Sequence, residues 1–144
     1  MNYMADIMQL TESNEEVCAQ ITTVLQQLSN EKKCTLESLQ TLVQNPMSEL
    51  WVVKEEGKIV GIATLTLAAR LSGLSARLED VAVDESQRGK GIGQSLCEKV
   101  IERAKERGAR SISLTTRPER VAAHKLYEKL GFKRKETDVY RLVL

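Results

Sequence analysis

Arg88, Gly89, Lys90, Gly91, Ile92 and Gly93 follow one another between an apolar, strand-like run and an amphipathic helical pattern. Glycines so closely spaced let a backbone turn sharply and present its N–H groups without side chains in the way. The helix that opens after them adds its own unbonded N–H groups and the positive end of its dipole. Such a turn is a seat for an anion, above all a phosphate or pyrophosphate, and Arg88 and Lys90 bring positive charge to it. A Walker-type loop would need Lys followed by Ser or Thr after its last glycine, whereas Gln94 follows Gly93. The dinucleotide fingerprint spaces its glycines as Gly-x-Gly-x-x-Gly, and this run is Gly-x-Gly-x-Gly. Neither fits, so a nucleotide-binding protein is a reading that rests on the glycine loop alone.

The elements that must hold this turn are legible on both sides. Leu78-Glu79-Asp80-Val81-Ala82-Val83 reads as a strand, and Asp84 to Gln87 as a polar link. Ile92, Leu96, Cys97, Val100, Ile101 and Ala104 trace one helix face, the charges from Glu98 to Arg107 cover the other, and Gly108 is a stop. Upstream, Asp6 to Leu10 is a short strand, and Ser13 to Glu16 has capping-box spacing ahead of a helix through Val17, Ile21 and Val24. Thr35 caps a second helix that Asn45-Pro46 ends. Leu50–Lys54 and Lys58–Leu67 form a hairpin around Glu55-Glu56-Gly57, and Arg70 to Arg77 reads as a connection. Downstream come a strand at Ser111–Thr115, a helix begun by Arg117-Pro118-Glu119, and one or two short strands within 133–144.

Strand, then Arg-x-x-Gly-x-Gly, then helix resembles the acetyl-CoA signature of the GNAT superfamily of N-acetyltransferases. A second segment, Ala122-Ala123-His124-Lys125-Leu126-Tyr127-Glu128-Lys129-Leu130-Gly131-Phe132, resembles that family's Ala-x-x-Leu-Tyr-x-x-x-Gly-Phe helix. The resemblance is close from Trp51 onward and covers the earlier residues in outline. Glu79-Asp80-Val81-Ala82-Val83 is similar to the matching run of the aminosugar-phosphate N-acetyltransferases and small bacterial members. The resemblance implies one α/β (α+β) domain over residues 1–144, with the acyl-CoA N-acyltransferase fold: a mixed, mostly antiparallel sheet of six or seven strands flanked by about four helices.

It also implies a chemistry. Acetyl-CoA would be the co-substrate, with Arg88, Gly89, Lys90, Gly91, Ile92, Gly93 and Gln94 around its pyrophosphate. Val81, Ala82 and Val83 would offer backbone groups to the pantetheine arm, and the N–H near Val81 or Ala82 would polarise the thioester carbonyl. Val81 and Val83 are equally at home in a core strand, and backbone contacts leave their side chains free to pack. Tyr127 would be the general acid at the leaving thiolate, its ~10 pKa lying close to a thiol's ~8.5. By periodicity alone Tyr127 is also a packing residue beside Leu126 and Leu130. Glu79 is the candidate base or amine-orienting group, against a salt-bridged strand residue. Strand alternation puts Glu79 and Asp80 on opposite faces, so only one of them can face the reaction centre. Two positions depart from the family: Arg120 and His124 stand where related sequences often carry Asn. His124 is also the only imidazole, with a useful pKa, although a helix-surface role suits it as well. Arg70, Arg77, Arg117 and Arg120 lie near acceptor-side segments, where they would meet a phosphate or carboxylate on the substrate or stay solvated.

Composition bounds the partners. The 144 residues carry 21 basic and 20 acidic side chains for a formal charge of +1, so no electrostatic case for nucleic acid arises. The few aromatics make no base-stacking platform. Cys18, Cys34 and Cys97 are odd in number and far apart along the chain, which gives neither a disulfide framework nor zinc spacing. With a single histidine, no metal is expected. No apolar stretch approaches the ~20 residues of a membrane span, and no leader is apparent; a cytoplasmic location with no membrane partner is expected. The acceptor is a primary amine, expected on a small molecule, with a protein or peptide amine as the alternative. A non-catalytic acyl-CoA-binding or sensor module is the other alternative. The C-terminal strand around 139–143 could pair with a second copy, which makes a homodimer an expectation.

Overall fold

The computed structural model describes residues 6–144. In chain order the elements are β1 (Ile7–Leu10), α1 (Glu15–Leu25), α2 (Leu36–Gln44), β2 (Ser48–Glu55), β3 (Lys58–Arg70), β4 (Gly73–Val83), a 3-10 turn (Glu85–Gln87), α3 (Ile92–Glu106), β5 (Ile112–Ser113) and α4 (Val121–Lys129). One five-stranded sheet runs in the order β1-β2-β3-β4-β5. The first three pairings are antiparallel and β4–β5 is parallel. The chain divides into two compact units, the first ending at Leu114 and the second being Thr115–Leu144.

The first unit sandwiches the sheet. Ile62 and Ala82, opposite one another on β3 and β4, pack in a core with Ile21 and Val24 of α1 and Leu39 of α2. The neighbouring position Gly61 faces the other way: a Cβ there would lie 2.9 Å from Ile92 Cγ2 and 3.1 Å from Leu96 Cδ1 of α3. Alternation along β3 therefore puts α1 and α2 over one face and α3 over the other. Local chemistry starts the helices. Asn14 accepts the Val17 N–H at 2.9 Å, so the cap of α1 is Asn14 rather than Ser13, and Glu15 and Glu16 sit at its positive end. Thr35 and Ser38 close a capping box on α2.

Three expectations change. The sheet has five strands among the described residues, not six or seven. Residues 133–144 are exposed and carry no strand, since a strand needs a ladder partner for its backbone groups. The stretch from Arg70 to Arg77 is not a connection, because β3 and β4 pair as far as Arg70↔Gly73 and turn at Leu71-Ser72. The cysteines that are distant along the chain also meet: Cys18 Sγ donates to the Cys34 carbonyl at 3.1 Å, while Thr22 Oγ1 accepts the Cys34 N–H at 2.9 Å.

Candidate functional site

β4 changes character at Asp80. Thr64 pairs with Glu79 and Ile62 with Ala82, so β4 spends one residue more than β3 over the same interval. The extra residue is absorbed as a bulge, with Asp80 in the left-handed region at φ 49°. Aspartate, with its short polar side chain, tolerates that region better than most residues. The bulge also resets the strand's phase. Leu78 stands opposite Leu65 on the α3 side, whereas Ala82 stands opposite Ile62 on the α1 side. Strict alternation would have placed Leu78 and Ala82 on one face. Alternation along β4 is therefore interrupted by a kink between Glu79 and Ala82.

Both carboxylates at the kink meet cations. Arg77 Nε donates to Glu79 Oε1 at 2.6 Å, with side chains 42% and 37% exposed. Lys32, from the α1–α2 connection, donates to Asp80 Oδ1 at 3.3 Å. Exposed pairs of this kind are worth about 0–1 kcal/mol each, so they orient the carboxylates more than they hold the fold. On its other edge, β4 pairs with β5 only at Ala76↔Ile112 and Arg77↔Ser113. Beyond Arg77 the strand continues through Val81, Ala82 and Val83 with no strand partner on that edge among the described residues. Backbone groups there are placed to bond an extended ligand.

The turn after β4 is locally built. The Asp84 N–H bonds Val60 O at 2.7 Å, and the Asp84 carboxylate accepts the Ser86 hydroxyl at 2.7 Å and the Ser86 N–H at 3.0 Å. Those bonds, the hydroxyl first, hold the Asp84 carboxyl below its usual range, and Arg88 adds to the effect. Lys90 Nζ reaches back to Gln87 Oε1 at 2.8 Å. Gly89 and Gly91 take φ 82° and 80°, a conformation costing an ordinary L-residue roughly 1–2 kcal/mol. Gly91 is the N-cap of α3, and no side chain caps that helix. Ile92, 1% exposed, anchors the turn against β3, so its contribution toward an anion is its backbone. Arg88, Gly89, Lys90, Gly91, Ile92, Gly93 and Gln94 thus form one turn at an uncapped helix start, continuous with Val81–Val83 and the bulge.

Tyr127 lies on the second unit. Its ring meets Phe132 edge-on, with centroids 5.8 Å apart and planes at 70°, and its carbonyl accepts the Phe132 N–H at 2.9 Å. His124 Nε2 donates to the Arg117 carbonyl at 3.0 Å, which ties the approach to α4 onto its first turns. That bond suits a structural histidine.

One cluster escaped the sequence reading. Glu49 on β2 is 3% exposed and accepts from Trp51 Nε1 at 3.0 Å, Arg103 Nε at 2.9 Å, Arg103 Nη2 at 2.8 Å and Arg107 Nη1 at 2.7 Å. The Arg103 hydrogen bonds first, then those of Arg107 and Trp51, outweigh burial and hold the Glu49 carboxyl down at about 2. Lys99 Nζ also stands 5.0 Å from the Trp51 ring centroid. Arg103 and Arg107, read as part of a solvated helix face, instead clamp the far end of α3 to the sheet. The signal was available: an acid immediately before the apolar run Leu50–Val53 and two arginines one helical turn apart.

Among the described residues, no group of three or more His, Cys, Asp or Glu side chains gathers around a common point, and no helix is long and apolar enough to cross a membrane. Residues 9–132 match the model of the acetyltransferase (GNAT) family. The chain is 44% identical over 96 residues to an N-acetylaspartate synthetase from Xenopus tropicalis, covering 65% of this chain and 34% of that protein. It therefore spans about a third of the length of that curated relative. An acetyltransferase from Trypanosoma brucei superposes with a TM-score of 0.79 at 25% identity, over 96% of this chain and 99% of the other. A transcriptional regulator from Bacillus halodurans C-125 superposes with a TM-score of 0.82 at 26% identity, over 95% and 99%.

Proposed function

The chain belongs to the GNAT acetyltransferase family, and from that premise we propose that it transfers the acetyl group of acetyl-CoA to the primary amine of a small metabolite, by direct attack in a ternary complex. The observation that carries the reading is the continuity of three features on one stretch of chain: the β4 edge beyond Arg77, the positive-φ turn at Gly89 and Gly91, and the uncapped start of α3. They fit a long ligand with an acyl thioester at one end and a pyrophosphate at the other. Acetyl-CoA supplies an activated acyl group and a stable leaving thiolate. Arg88, Gly89, Lys90, Gly91, Ile92, Gly93 and Gln94 bind the pyrophosphate, mainly through N–H groups, with Arg88 and Lys90 adding charge. Val81 and Val83 hold the pantetheine arm by their backbones, and the N–H at Val81 or Ala82 polarises the carbonyl. Glu79 orients the amine or takes its proton, directly or through water. Tyr127 protonates the thiolate.

The same reading takes residues 1–144 as one functional domain, needs no metal, and is at home in a reducing cytoplasm with its cysteines free. It includes a homodimer, since Val139, Tyr140, Leu142 and Val143 are exposed and apolar contact with a second copy would cover them. Neither nucleic acid nor a membrane enters as a partner. The test is thiol release from acetyl-CoA with aminosugar phosphates, polyamines, amino acids and N-terminal peptides; similarity to an N-acetylaspartate synthetase puts aspartate in the panel. Turnover of a small amine supports the reading, turnover only of peptides moves the acceptor to protein amines, and no turnover with tight acetyl-CoA binding overturns the enzyme assignment. A non-catalytic acyl-CoA sensor is the second reading, favoured by the likeness to a transcriptional regulator. Tyr127→Phe separates the two: as general acid its loss lowers kcat by about 10²–10⁴-fold with little change in acetyl-CoA affinity, whereas a sensor has no turnover to lose.

A further inference from the structure

Arg77 is the arginine that meets the candidate base. It sits at the last β4–β5 rung, opposite Thr66 on β3 and Ser113 on β5, and its Nε is bonded to Glu79 at 2.6 Å. Among the described residues, that is the bond Arg77 makes, and it uses Nε, which leaves the Nη1–Nη2 end of the guanidinium with donors to offer. That end presents two parallel N–H donors, the pattern that matches a carboxylate or phosphate. Arg77 and Glu79 are two residues apart on one strand face and both are accessible. The next carboxylate, Asp80, is already held by Lys32, which leaves Arg77 as the available cation beside Glu79. Arg103 and Arg107 are engaged on Glu49, and Arg110 on the Ser72 carbonyl.

Resting on the acetyl-transfer reading above, we infer that the acceptor is a zwitterion, an amine carrying a carboxylate or phosphate, and that Arg77 selects it by binding that anion while Glu79 receives the ammonium. The fixed +/− pair on β4 is the complement of a substrate with opposite charges a few bonds apart. An amine without an anion would leave the Arg77 fork unmatched and bring a second cation close to it. Because Nε stays on Glu79 while the outer end binds the anion, recognition of the anion also fixes the carboxylate at which the amine arrives.

The experiment compares matched acceptors differing only in the anion, aspartate against aspartic acid diamide and glucosamine 6-phosphate against glucosamine, with wild type, Arg77→Gln and Arg77→Lys. Hydrogen bonds to charged groups are worth enough that kcat/KM for the anionic member of the preferred pair should exceed that for its neutral partner by about ten- to hundredfold. Arg77→Gln should collapse that ratio to near unity through KM, and Arg77→Lys should restore part of it. The preferred pair identifies the source of the anion, carboxylate or phosphate. Equal loss on both members of each pair would make Arg77 only a support for Glu79 and overturn the inference, as would a wild-type preference for the neutral amines. Calorimetric binding of the same acceptors is the separate readout. Anion binding lost in Arg77→Gln but without turnover would sustain the role of Arg77 while defeating acetyl transfer; turnover of neutral amines would do the reverse.

Discussion

Replacing Glu49 with Gln tests how α3 is held against the sheet. The side chain is 3% exposed and accepts four hydrogen bonds, three of them from guanidinium groups. Moving a carboxyl from 4.5 to about 2 corresponds to about 3 kcal/mol carried by its charged form, at ~1.36 kcal/mol per pH unit. The cost of breaking a buried ion pair by removing one partner, about 3–5 kcal/mol, points to the same size. For 144 residues with an unfolding entropy of ~2.1 cal/mol/K per residue, that loss lowers Tm by about 10 °C. The sign of the pH dependence follows from the depressed value. The contribution is complete above about pH 4.5 and is lost as pH falls toward about 2, because the unfolded chain takes up the proton first. The assay is urea unfolding of wild type and Glu49→Gln from pH 7 to pH ~3. The gap should be about 3 kcal/mol at neutral pH and should shrink to roughly half or less by pH ~3. A gap under about 1 kcal/mol at pH 7 would mean that the Glu49 charge does not hold α3 to the sheet, and so would one that stays constant as pH falls.

Two further outcomes follow from packing. Gly61→Ala puts a methyl 2.9 Å from Ile92 Cγ2, and Ile92 and Leu96 are too buried to move aside freely; unfolding should show a loss of about 1–3 kcal/mol, with the stabilisation by acetyl-CoA in a thermal-shift titration reduced because Ile92 opens α3 at the turn. The thiols of Cys34 and Cys97 are pushed up to about 12, each chiefly by burial. A disulfide reagent at pH ~8 should therefore label them slowly in the folded protein and quickly after unfolding, and fast labelling of the native state would contradict that packing.

The features legible along the chain are those that neighbouring residues decide among themselves. Glycines at 89, 91 and 93 ahead of an amphipathic helix dictate a sharp turn and an open helix start, because φ preferences and apolar spacing act within one or two turns. The same holds for α1, α2 and α4, and for the family resemblance that the two motifs carry. Glu79 could be named as a carboxylate on a strand, and Tyr127 as a phenol on a helix.

Tertiary pairing decided the rest. Whether β4 alternates or bulges at Asp80 depends on its register against β3, which no period in β4 alone records. Whether Arg70 to Arg77 is a loop or two strand ends depends on the partner that satisfies its backbone, and the absence of strands within 133–144 has the same cause. The burial of Glu49 beneath Arg103 and Arg107, the meeting of Cys18 with Cys34, and the pairing of Lys32 with Asp80 each join residues distant in sequence. Such contacts arise only when helices dock on a sheet, because their energy comes from excluding water between surfaces rather than from any local preference. The residue types for an anion-binding turn and for the proposed acid and base stand in the sequence. How β4 kinks, and which cations its carboxylates face, belongs to the folded sheet.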